Sequence, residues 1–431
     1  MQDHQKLQAL EEAGGIPERK VTLGGRLPHE KRRSVAEHRQ AVRELLTLLA
    51  VHVRTENLPL TNALGRGLAE TIFAPMDLPP FDNSQMDGYA IRSGDIVDTQ
   101  GELRVGAPIP AGAVAAPLEA GVAAPIMTGA MMPDGADTVV PIEKAVPNVF
   151  PDPKLESLVL LPATPVGTFV RSAGDDIASG DCALADGTYL GPRQLGLLAA
   201  LGITRVKVRK RLAALLLTTG DEVLEPGDEW STGKIYDANN TLLESSLREA
   251  GVTVVRAGII KDEPAELSRL LEHHLPDVDL VISSGGVSRG AYEVVRQTMT
   301  DHEVDFFHVS LQPGGPQGIG TFNGVPFLAF PGNPVSCLIS FEMFLRPVLS
   351  ELFSSVEPRI SFRAPLSEAL TSPRGKHQVR RGTMLPNGTV QLEGGEGSHL
   401  LRALSRSNLL IHIPDGIAEL ARGTEVEVWA I

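Results

Sequence analysis

The amino-acid sequence predicts a multidomain α/β plus β protein, and three observations support this fold class. Apolar strands alternate with helices between residues 212 and 355, which is typical of βαβ crossovers and of a doubly wound sheet. Residues 73–174 and 356–431 instead contain short apolar runs between turn residues, which predicts two β-rich domains. A chain of 431 residues is also too long for a single core.

The composition argues against several classes of function. A net charge of −14 disfavours nucleic-acid partners and anionic membrane surfaces, because binding a polyanion depends on Lys and Arg. No apolar run approaches the length of about 18 residues that a membrane span needs, and the first residues lack the apolar core of a signal peptide. Cys182 and Cys337 are far apart, so neither a disulfide framework nor a thiolate metal site is indicated. We therefore expect a cytoplasmic protein.

Five segments follow one another along the chain. Residues 1–33 are polar and predict a disordered leader. A helix is expected to start after Ser34, a suitable N-cap, with one apolar stripe formed by Val35, Val42, Leu45, Leu46 and Leu49. The predicted domains after the leader are a small mixed linking domain (34–72 plus 175–211), a β-rich domain inserted into it (73–174), an α/β domain (212–355) and a C-terminal β domain (356–431).

The α/β domain is predicted from its apolar strands. The run LAALLLTTGDE has no polar alternation, as expected for a parallel strand that is buried on both faces. After it the sequence predicts a helix (240–250), a strand (VTVVRAGII), a helix (264–273) and a second buried strand (DLVISSGGVS). A last strand, VPFLAF, breaks at PGNP and leads into an apolar helix over 335–349.

Three of these strand ends carry unusual residues, and ligands of open α/β sheets bind at such ends. They are Gly220-Asp221-Glu222, the run from Ser284 through Gly285, Gly286 and Val287 to Ser288, and the run from Pro331 to Ser336. Backbone N–H groups of the small SSGGVS turn can approach an anion closely, which predicts a phosphate cradle. A plain tight turn is the alternative.

Carboxylates collect near the same strand ends. Glu222, Asp237 and Asp262 all follow strands or loops of the α/β domain. Beside a phosphate they suggest a hard cation such as Mg²⁺. Taken singly, each is better explained as a solvated surface residue or a helix N-cap.

The segment 78–91, LPPFDNSQMDGYAI, alternates apolar anchors with polar side chains. Its anchors are Phe81, Met86 and Tyr89, and its polar residues include Asp82, Asn83, Ser84 and Asp87. Such a loop can be fixed to a core while it presents polar groups to a ligand. A structural Asx-turn explains the same residues.

Together these residues resemble the molybdopterin molybdenumtransferase family (MoeA, and the E domain of gephyrin) over about residues 34–431. The matching motifs, in family order, are PPFDNSQMDGYA (79–90), IMTGAMMPDGADTVV (126–140), RSAGDDI (171–177), TTGDE (218–222), IYDANN (235–240), SSGGVSRG (283–290) and PGNPVS (331–336). The resemblance implies a MoaB/Mog-like α/β domain and a C-terminal β-barrel-like domain. It also implies an Mg²⁺-dependent transferase that inserts molybdate into adenylylated molybdopterin and releases AMP.

The resemblance assigns roles to individual residues. Its implied catalytic residues are Asp87, Thr128, Arg171, Asp176, Glu222 and Asp262, and its implied metal ligands are Glu222, Asp262 and Glu293. Its implied substrate- and phosphate-binding residues are Asp237, Ser284, Gly285, Gly286, Ser288, His308, Pro331, Pro334, Arg381 and Ser398. It implies a homodimer whose cleft combines Asp87 of one subunit with the α/β domain of the other. The preceding pterin-adenylylating enzyme is a further candidate partner.

The chain departs from the family pattern at two places. Glu293 stands where the family usually has Asp. Family lysines are replaced by His308, Gln312 and Gly315, which removes point charges that would attract molybdate. Arg380, Arg381, Lys376, His308 and backbone donors remain as candidate anion-binding groups.

These departures keep two other functions open. One is a weakly active or non-catalytic paralogue that binds pterin or nucleotide as a scaffold. The other is hydrolysis or transfer on a different nucleotide-linked substrate by the α/β domain alone, which predicts that activity survives without the β-rich domain around Asp87.

Overall fold

The computed structural model describes residues 32–51, 54–260, 263–287 and 294–431. Nearly all of the predicted leader lies outside the described residues, as do Asp262, Ser288 and Glu293 of the predicted site. The chain divides into two compact units. The first comprises Met1–Val51, Leu212–Val348 and Pro358–Ile431, and is called the α/β unit below. The second comprises His52–Arg211 and Leu349–Glu357, and is called the β-rich unit.

Helix α1 (Val35–Val51) starts with a reciprocal cap. The backbone N–H of Glu37 donates to Ser34 Oγ at 3.2 Å, and the N–H of Ser34 donates to Glu37 Oε2 at 2.7 Å. The predicted start of the helix is therefore confirmed. Inside the α/β unit, Arg39 Nε donates to Met343 O at 2.8 Å and the His38 ring packs edge-on against Phe344. This helix belongs to the α/β unit, and the linking domain of residues 34–72 plus 175–211 stays a prediction.

The β-rich unit is built from short strands. Its elements are β1 (Thr55–Pro59), β2 (Ile72–Phe73), β3 (Asn83–Ser84), β4 (Gly88–Ile91), α2 (Ser93–Asp98), β5 (Glu102–Val105), β6 (Val122–Ile126), β7 (Thr138–Pro141), β8 (Leu158–Leu160), β9 (Val170–Arg171), β10 (Cys182–Leu184), α3 (Pro192–Ala200) and β11 (Arg205–Arg209). A five-stranded sheet has the order β7-β4-β6-β5-β8, and three strand pairs, β1–β11, β2–β10 and β3–β9, lie outside that sheet. Tyr89 and Ile91 are fully buried in its core.

The α/β unit contains a six-stranded mixed sheet. Its first elements are β12 (Ala213–Thr219), β13 (Val223–Leu224), β14 (Ile235–Tyr236), α4 (Asn239–Glu249), β15 (Thr253–Ile260), α5 (Pro264–His274), β16 (Leu280–Ser284), α6 (Val294–Thr298), β17 (Glu303–His308), β18 (Leu311–Gln312), β19 (Pro316–Phe322) and β20 (Val325–Phe330). The sheet order is β15-β12-β16-β20-β19-β17. The first four strands are parallel, whereas β19 and β17 are antiparallel additions that the sequence interpretation did not assign.

The parallel strands bring three chain turns to one edge of the sheet. Thr218 of β12 lies beside Ser284 of β16, and Ser284 lies beside Phe330 of β20. The strands are buried on both faces, which explains the uninterrupted apolar runs in the sequence. The three predicted ligand-binding strand ends are therefore neighbours.

The chain then forms one long helical stretch and a second sheet. The helical stretch is α7 (Pro334–Ser340), a π-helical turn (Phe341–Leu345) and α8 (Arg346–Phe353). The later elements are β21 (Ser361–Pro365), β22 (Leu370–Thr371), β23 (His377–Met384), β24 (Val390–Leu392), α9 (Leu401–Arg406), β25 (Leu409–Ile413), β26 (Glu419–Leu420) and β27 (Glu425–Ala430).

The second sheet has the order β18-β23-β25-β27-β21, with β24 paired to β23. Strand β18 joins it in parallel with β23, so the α/β and C-terminal segments share hydrogen bonds. Helix α9 is an addition to the all-β segment that the sequence predicted. Within the part of the chain that the structure describes, no helix has both the length and the apolar character needed to cross a bilayer.

Candidate active site

The turn after β16, the predicted anion cradle, consists of two glycines with positive φ that pack closely against their neighbours. Gly285 and Gly286 have φ values of +89° and +64°, a region that side chains with a Cβ rarely adopt. A Cβ on Gly285 would lie 2.9 Å from Thr219 O, and one on Gly286 would lie 2.7 Å from Val295 Cγ2. Ser284 is buried, and its Oγ is 2.9 Å from Thr218 Oγ1. The predicted cradle residues 284–286 therefore lie together and leave no room for larger side chains.

The Pro331–Ser336 turn packs directly against this cradle. Gly285 N donates to Phe330 O at 3.1 Å, and a Cβ on Gly332 would lie 3.4 Å from Gly285 Cα. Pro334 occupies the first turn of α7, where the missing N–H of proline is tolerated. Asn239 Nδ2 donates to Gly332 O at 2.6 Å, which ties this turn to the start of α4.

The carboxylates at this edge have different surroundings. Asp237 is buried, and its two carboxylate oxygens accept hydrogen bonds from Asn240 N (3.0 Å) and Asn240 Nδ2 (2.7 Å). Its side chain thus supports the start of α4, in agreement with the alternative that the sequence left open. Glu222 is exposed, and its Oε2 would lie 2.9 Å from a Cβ on Gly220. Of the carboxylates of Asp237 and Glu222, that of Glu222 is therefore the one that faces solvent.

A cavity of about 370 Å³ lies in the same unit as the cradle. Its lining residues are His308, Leu311, Gln312, Pro313, Gly314, Gly315, Ser336, Lys376, Glu396, Gly397 and Ser398. We call it the oxyanion pocket, because the predicted anion-binding residues His308 and Ser398 line it. The Pro331–Ser336 turn connects it to the cradle, since Val335 N donates to Ser398 O at 3.2 Å.

The residues that replace the family lysines form one wall of the oxyanion pocket. The His308 imidazole lies over the Gly315 backbone, where a Cβ would come within 2.7 Å of His308 Nε2. Gly315 therefore makes room for the imidazole. Gln312 Nε2 donates to Glu396 Oε2 at 3.3 Å, and Gln378 Nε2 donates to Gln312 Oε1 at 3.3 Å.

Arg380 and Arg381 lie behind the loop that lines this pocket. Arg381 is buried and its guanidinium donates to Gly395 O. Arg380 donates to Gly394 O at 3.3 Å, and its Nη1 is 3.8 Å from Glu396 Oε1. Burial lowers the pKa of both side chains, and the neighbouring Arg380 lowers the pKa of Arg381 further. Both arginines therefore hold the 394–396 loop, and Lys376 is the basic side chain that lines the cavity beside His308.

In the β-rich unit, Asp87 and Thr128 meet directly. Asp87 Oδ1 accepts hydrogen bonds from Thr128 N (2.7 Å) and Thr128 Oγ1 (2.8 Å). These two bonds, the backbone one first, hold the pKa of the Asp87 carboxyl below its usual range. Gly88, the next residue, packs so tightly that a Cβ would approach Val140 O to 2.1 Å. Asp87 is thus exposed and ionised on a rigid backbone.

Arg171 and Asp176, the other predicted site residues of the β-rich unit, lie on a segment that pairs with the 78–91 loop. Arg171 is opposite Asn83 in the β3–β9 pair, and Asp176 N donates to Leu78 O at 3.0 Å. Asp82 accepts a hydrogen bond from Ala173 N at 2.7 Å, a structural contact with a distant segment and not the local Asx-turn of the alternative. Residues 78–91 therefore contain structural carboxylates as well as the exposed Asp87.

The described residues contain no group of three or more His, Cys, Asp or Glu side chains that could hold a metal ion. Of the predicted metal ligands only Glu222 is described. Two buried oxygens near the cradle, Thr219 Oγ1 and Asn239 Oδ1, have no hydrogen-bond partner in the described structure. Such unpartnered oxygens at a strand edge are consistent with a site that is completed by a ligand.

Sequence reasoning missed two side chains of the site. Glu396 lines the oxyanion pocket, and Asn239 anchors the Pro331–Ser336 turn. Asn239 belongs to the IYDANN motif, so that motif was a usable signal. Glu396 lies in a glycine-rich loop between short strands and gave no comparable signal.

The fold and these features define a class: a multidomain α/β plus β protein with a tightly packed glycine turn at parallel strand ends and, in the same unit, a pocket whose lining includes His308 and Lys376. Three family models match the chain. They are the MoeA N-terminal region, domains I and II (residues 33–202), a probable molybdopterin binding domain (215–351) and the MoeA C-terminal region, domain IV (363–431).

Known proteins are similar over almost the whole length. Molybdopterin molybdenumtransferase 2 of Mycobacterium tuberculosis is 40% identical over 411 residues, covering 92% of this chain and 99% of its own. Molybdopterin molybdenumtransferase of Haemophilus influenzae is 32% identical over 399 residues, covering 90% and 97%. The crystal structure of the molybdopterin biosynthesis moeA protein of Pyrococcus horikoshii OT3 matches with a TM-score of 0.77 at 27% identity, covering 93% and 100%. The chain belongs to the molybdopterin molybdenumtransferase (MoeA) family, and the predicted fold class is confirmed.

Proposed function

We propose that the protein is a transferase that inserts molybdate into adenylylated molybdopterin, with release of AMP, in molybdenum cofactor biosynthesis. One observation carries most of the weight. Within the α/β unit, the Pro331–Ser336 turn contacts Gly285 of the cradle and also supplies Ser336 to the oxyanion pocket. Two anion sites joined by one short turn suit a reaction between a nucleotide-linked substrate and a metal oxyanion. The names of the two relatives support the same reaction class.

Each group in this reaction would bind, orient or balance charge. The small residues 284–286 would let the nucleotide phosphate approach the backbone of this turn closely, although the Gly285 N–H itself donates to Phe330 O. Lys376, His308 and the Ser398 hydroxyl would hold molybdate. Holding both anions with fixed donors removes much of the entropy cost of bringing the reactants together. The ionised Asp87, fixed by Thr128, would accept hydrogen bonds from the substrate, beside Arg171 and Asp176.

A divalent cation is proposed to bind beside Glu222, at the edge of the cradle. Glu222 is exposed there, and Asp262 and Glu293 are its proposed co-ligands outside the described residues. Bound Mg²⁺ would neutralise negative charge on the nucleotide phosphate. Glu222 is also part of the TTGDE motif, whose strand end adjoins the cradle.

We further propose a homodimer in which Asp87, Arg171 and Asp176 of one subunit face the cradle of the other. The pterin-adenylylating enzyme that precedes this step is the proposed donor of substrate. Light scattering of the purified chain tests the first point, because a monomer at working concentration would contradict a shared cleft.

The reaction is tested by incubating the purified chain with adenylylated molybdopterin, molybdate and Mg²⁺ and measuring AMP. We expect release of AMP that requires molybdate, and loss of that release in Glu222→Ala without loss of folding. A chain that binds the pterin nucleotide but releases no AMP, under conditions where a relative is active, would be a binding protein. Activity that survives deletion of residues 73–174 would point instead to another reaction of the α/β domain.

A further inference from the structure

One carboxylate, that of Glu396, lies in the pocket proposed to bind molybdate. Its Oε2 accepts a hydrogen bond from Gln312 Nε2 at 3.3 Å, and its Oε1 is 3.8 Å from Arg380 Nη1. The loop that carries Glu396 is fixed from behind by the bonds of Arg380 and Arg381 to Gly394 O and Gly395 O. Glu396 is therefore held at the lining of the pocket by several independent contacts.

A carboxylate beside a dianion is unfavourable unless a proton lies between them. Two fully ionised anions repel each other, and a carboxylate has only acceptor oxygens. An oxyanion that carries a proton can donate a hydrogen bond to the carboxylate, and such charge-assisted bonds are among the stronger ones. Molybdate takes up a proton far more readily than sulfate, because sulfate is the anion of a much stronger acid. A carboxylate in the pocket can therefore discriminate between molybdate and sulfate, although the two oxyanions have the same charge and the same tetrahedral shape.

The groups around Glu396 favour selection of the anion through a hydrogen bond over selection through positive charge alone. Positions 312 and 315, where the family has lysines, carry an amide and a glycine. Lys376 and His308 are the basic side chains at the lining, and Arg380 approaches Glu396 from behind the loop. With fewer cations to attract any dianion, hydrogen-bond pairing has a larger share in deciding which anion binds.

We propose that Glu396 is a specificity-determining residue that accepts a hydrogen bond from the protonated oxyanion and so selects molybdate over sulfate. The dianion takes up one proton from solvent as it binds; this proton stays on the bound oxyanion, and no other covalent bond changes in this step. This inference rests on the proposed function, since it assumes that the pocket holds the metal oxyanion. It concerns selection between anions and leaves the proposed reaction unchanged.

The test compares three forms of the full chain by calorimetric titration with sodium molybdate and with sodium sulfate at one pH and one ionic strength. In Glu396→Gln the amide can donate to either anion, so we expect the preference for molybdate to fall on the order of tenfold, the size of one hydrogen bond to a charged group. The matched control is Glu393→Gln, which removes the same charge three residues away. Its carboxylate bonds Thr383 Oγ1 at 3.2 Å, so the preference should stay as in the wild type.

A second readout separates this proposal from the proposed reaction. With adenylylated molybdopterin and Mg²⁺ present, sulfate should inhibit molybdate-dependent AMP release at lower concentration in Glu396→Gln than in the wild type. If Glu396→Gln tightens binding of both anions by the same factor, Glu396 acts as a general repulsive charge and the selection proposal is wrong. Release of AMP by the wild type with equal sulfate sensitivity in both forms overturns only the role of Glu396. A wild type that neither binds molybdate nor releases AMP overturns both proposals.

Discussion

Gly285 and Gly286 are the residues on which the shape of the phosphate cradle depends most directly. Both have positive φ values, and both approach neighbouring atoms closely enough to exclude a Cβ. A Cβ on Gly286 would lie 2.7 Å from Val295 Cγ2 and 3.0 Å from Thr219 Oγ1, so a methyl group there would displace strand β12 or helix α6. The sequence pattern alone could not separate this cradle from a plain tight turn, because both use Gly-Gly after a strand.

Gly286→Ala should combine a backbone cost with a steric clash. We expect the free energy of unfolding to fall by about 2–4 kcal/mol. Part of this loss arises because alanine disfavours a positive φ, and part because the added methyl group overpacks its surroundings. Binding of AMP should weaken in the same variant. Gly324→Ala is the matched control, because Gly324 has φ of +83° with no atom within 4 Å of an added Cβ. It should lose only about 1 kcal/mol in urea denaturation and keep AMP binding; equal effects of the two changes would contradict a packed cradle.

Asp87→Asn tests charge separately from geometry. Both hydrogen bonds from Thr128 end on one oxygen, Oδ1, which an amide oxygen can replace. We expect turnover to fall at least tenfold, roughly the effect of losing one charged hydrogen bond, while the melting temperature changes little. A variant that keeps full turnover would show that the negative charge is not needed.

The lowered pKa of the Asp87 carboxyl predicts how far turnover persists as the pH falls. Its pKa is lowered in the folded protein, so its ionised form adds stability above the unfolded pKa, and that stability is lost as pH falls through the folded pKa. In the wild type, the part of turnover that depends on Asp87 should therefore persist down to pH values below the ordinary carboxyl pKa of 3.8, as far as the fold itself survives. Thr128→Val removes the hydroxyl donor and should move this limit to higher pH. A pH profile of AMP release that is identical in Thr128→Val and wild type would contradict this role of Thr128.

Among the elements, the helical stretch from α7 to α8 shows what sequence patterns capture and what they miss. An apolar helix over 335–349 was predicted, and the structure continues it to Phe353 through a π-helical turn. That turn contains Glu342, which is only 2% exposed. A buried carboxylate in an apolar helix gives no periodic signal, because its partner Arg359 belongs to a later segment.

Glu342 and Arg359 form a two-pronged ion pair, with Arg359 Nη2 and Nε donating to the carboxylate at 2.8 and 3.1 Å. Glu342→Gln should cost about 2 kcal/mol in unfolding free energy, because Arg359 loses a two-pronged bond to a buried carboxylate and keeps only the exposed Glu249, 3.1 Å from its Nη1, as a charged partner. The control is Arg363→Gln, which breaks the exposed pair Arg363–Glu425 and should cost under about 1 kcal/mol. Equal losses in chemical denaturation would mean that burial does not govern this pair.

The strands show the same limit of sequence reasoning. Buried parallel strands such as β12 and β16 were predictable, because continuous apolar runs of this length have few alternatives. Strands β17 and β19 were not assigned, since the consecutive Phe306 and Phe307 interrupt the polar–apolar alternation of β17 and β19 contains two glycines. Glycine weakens the strand signal, yet Gly320 is required there, because a Cβ would meet Glu303 O at 1.8 Å.

At the scale of the whole molecule, each motif was predictable but the oxyanion pocket was not. The lining comes from segments around residues 308–315, 336, 376 and 396–398, which are brought together by the β18–β23 pair and by the start of α7. No single segment has a pattern that indicates a cavity. Glu396 therefore became visible only when the fold placed it beside Gln312.

The proposed shared cleft makes a prediction that only a dimer can satisfy. If Asp87 of one subunit works with Glu222 of the other, a mixed dimer of Asp87→Asn and Glu222→Ala subunits has one cleft with both changes and one cleft with neither. Random exchange of equal amounts should then restore about a quarter of the wild-type sites, although Asp87→Asn alone keeps at most about a tenth of the turnover and Glu222→Ala alone releases no AMP. The measurement is AMP release after subunit exchange, with each variant incubated alone as the control. If both residues served a cleft within one chain, every cleft in the mixture would carry one change, and exchange would restore nothing.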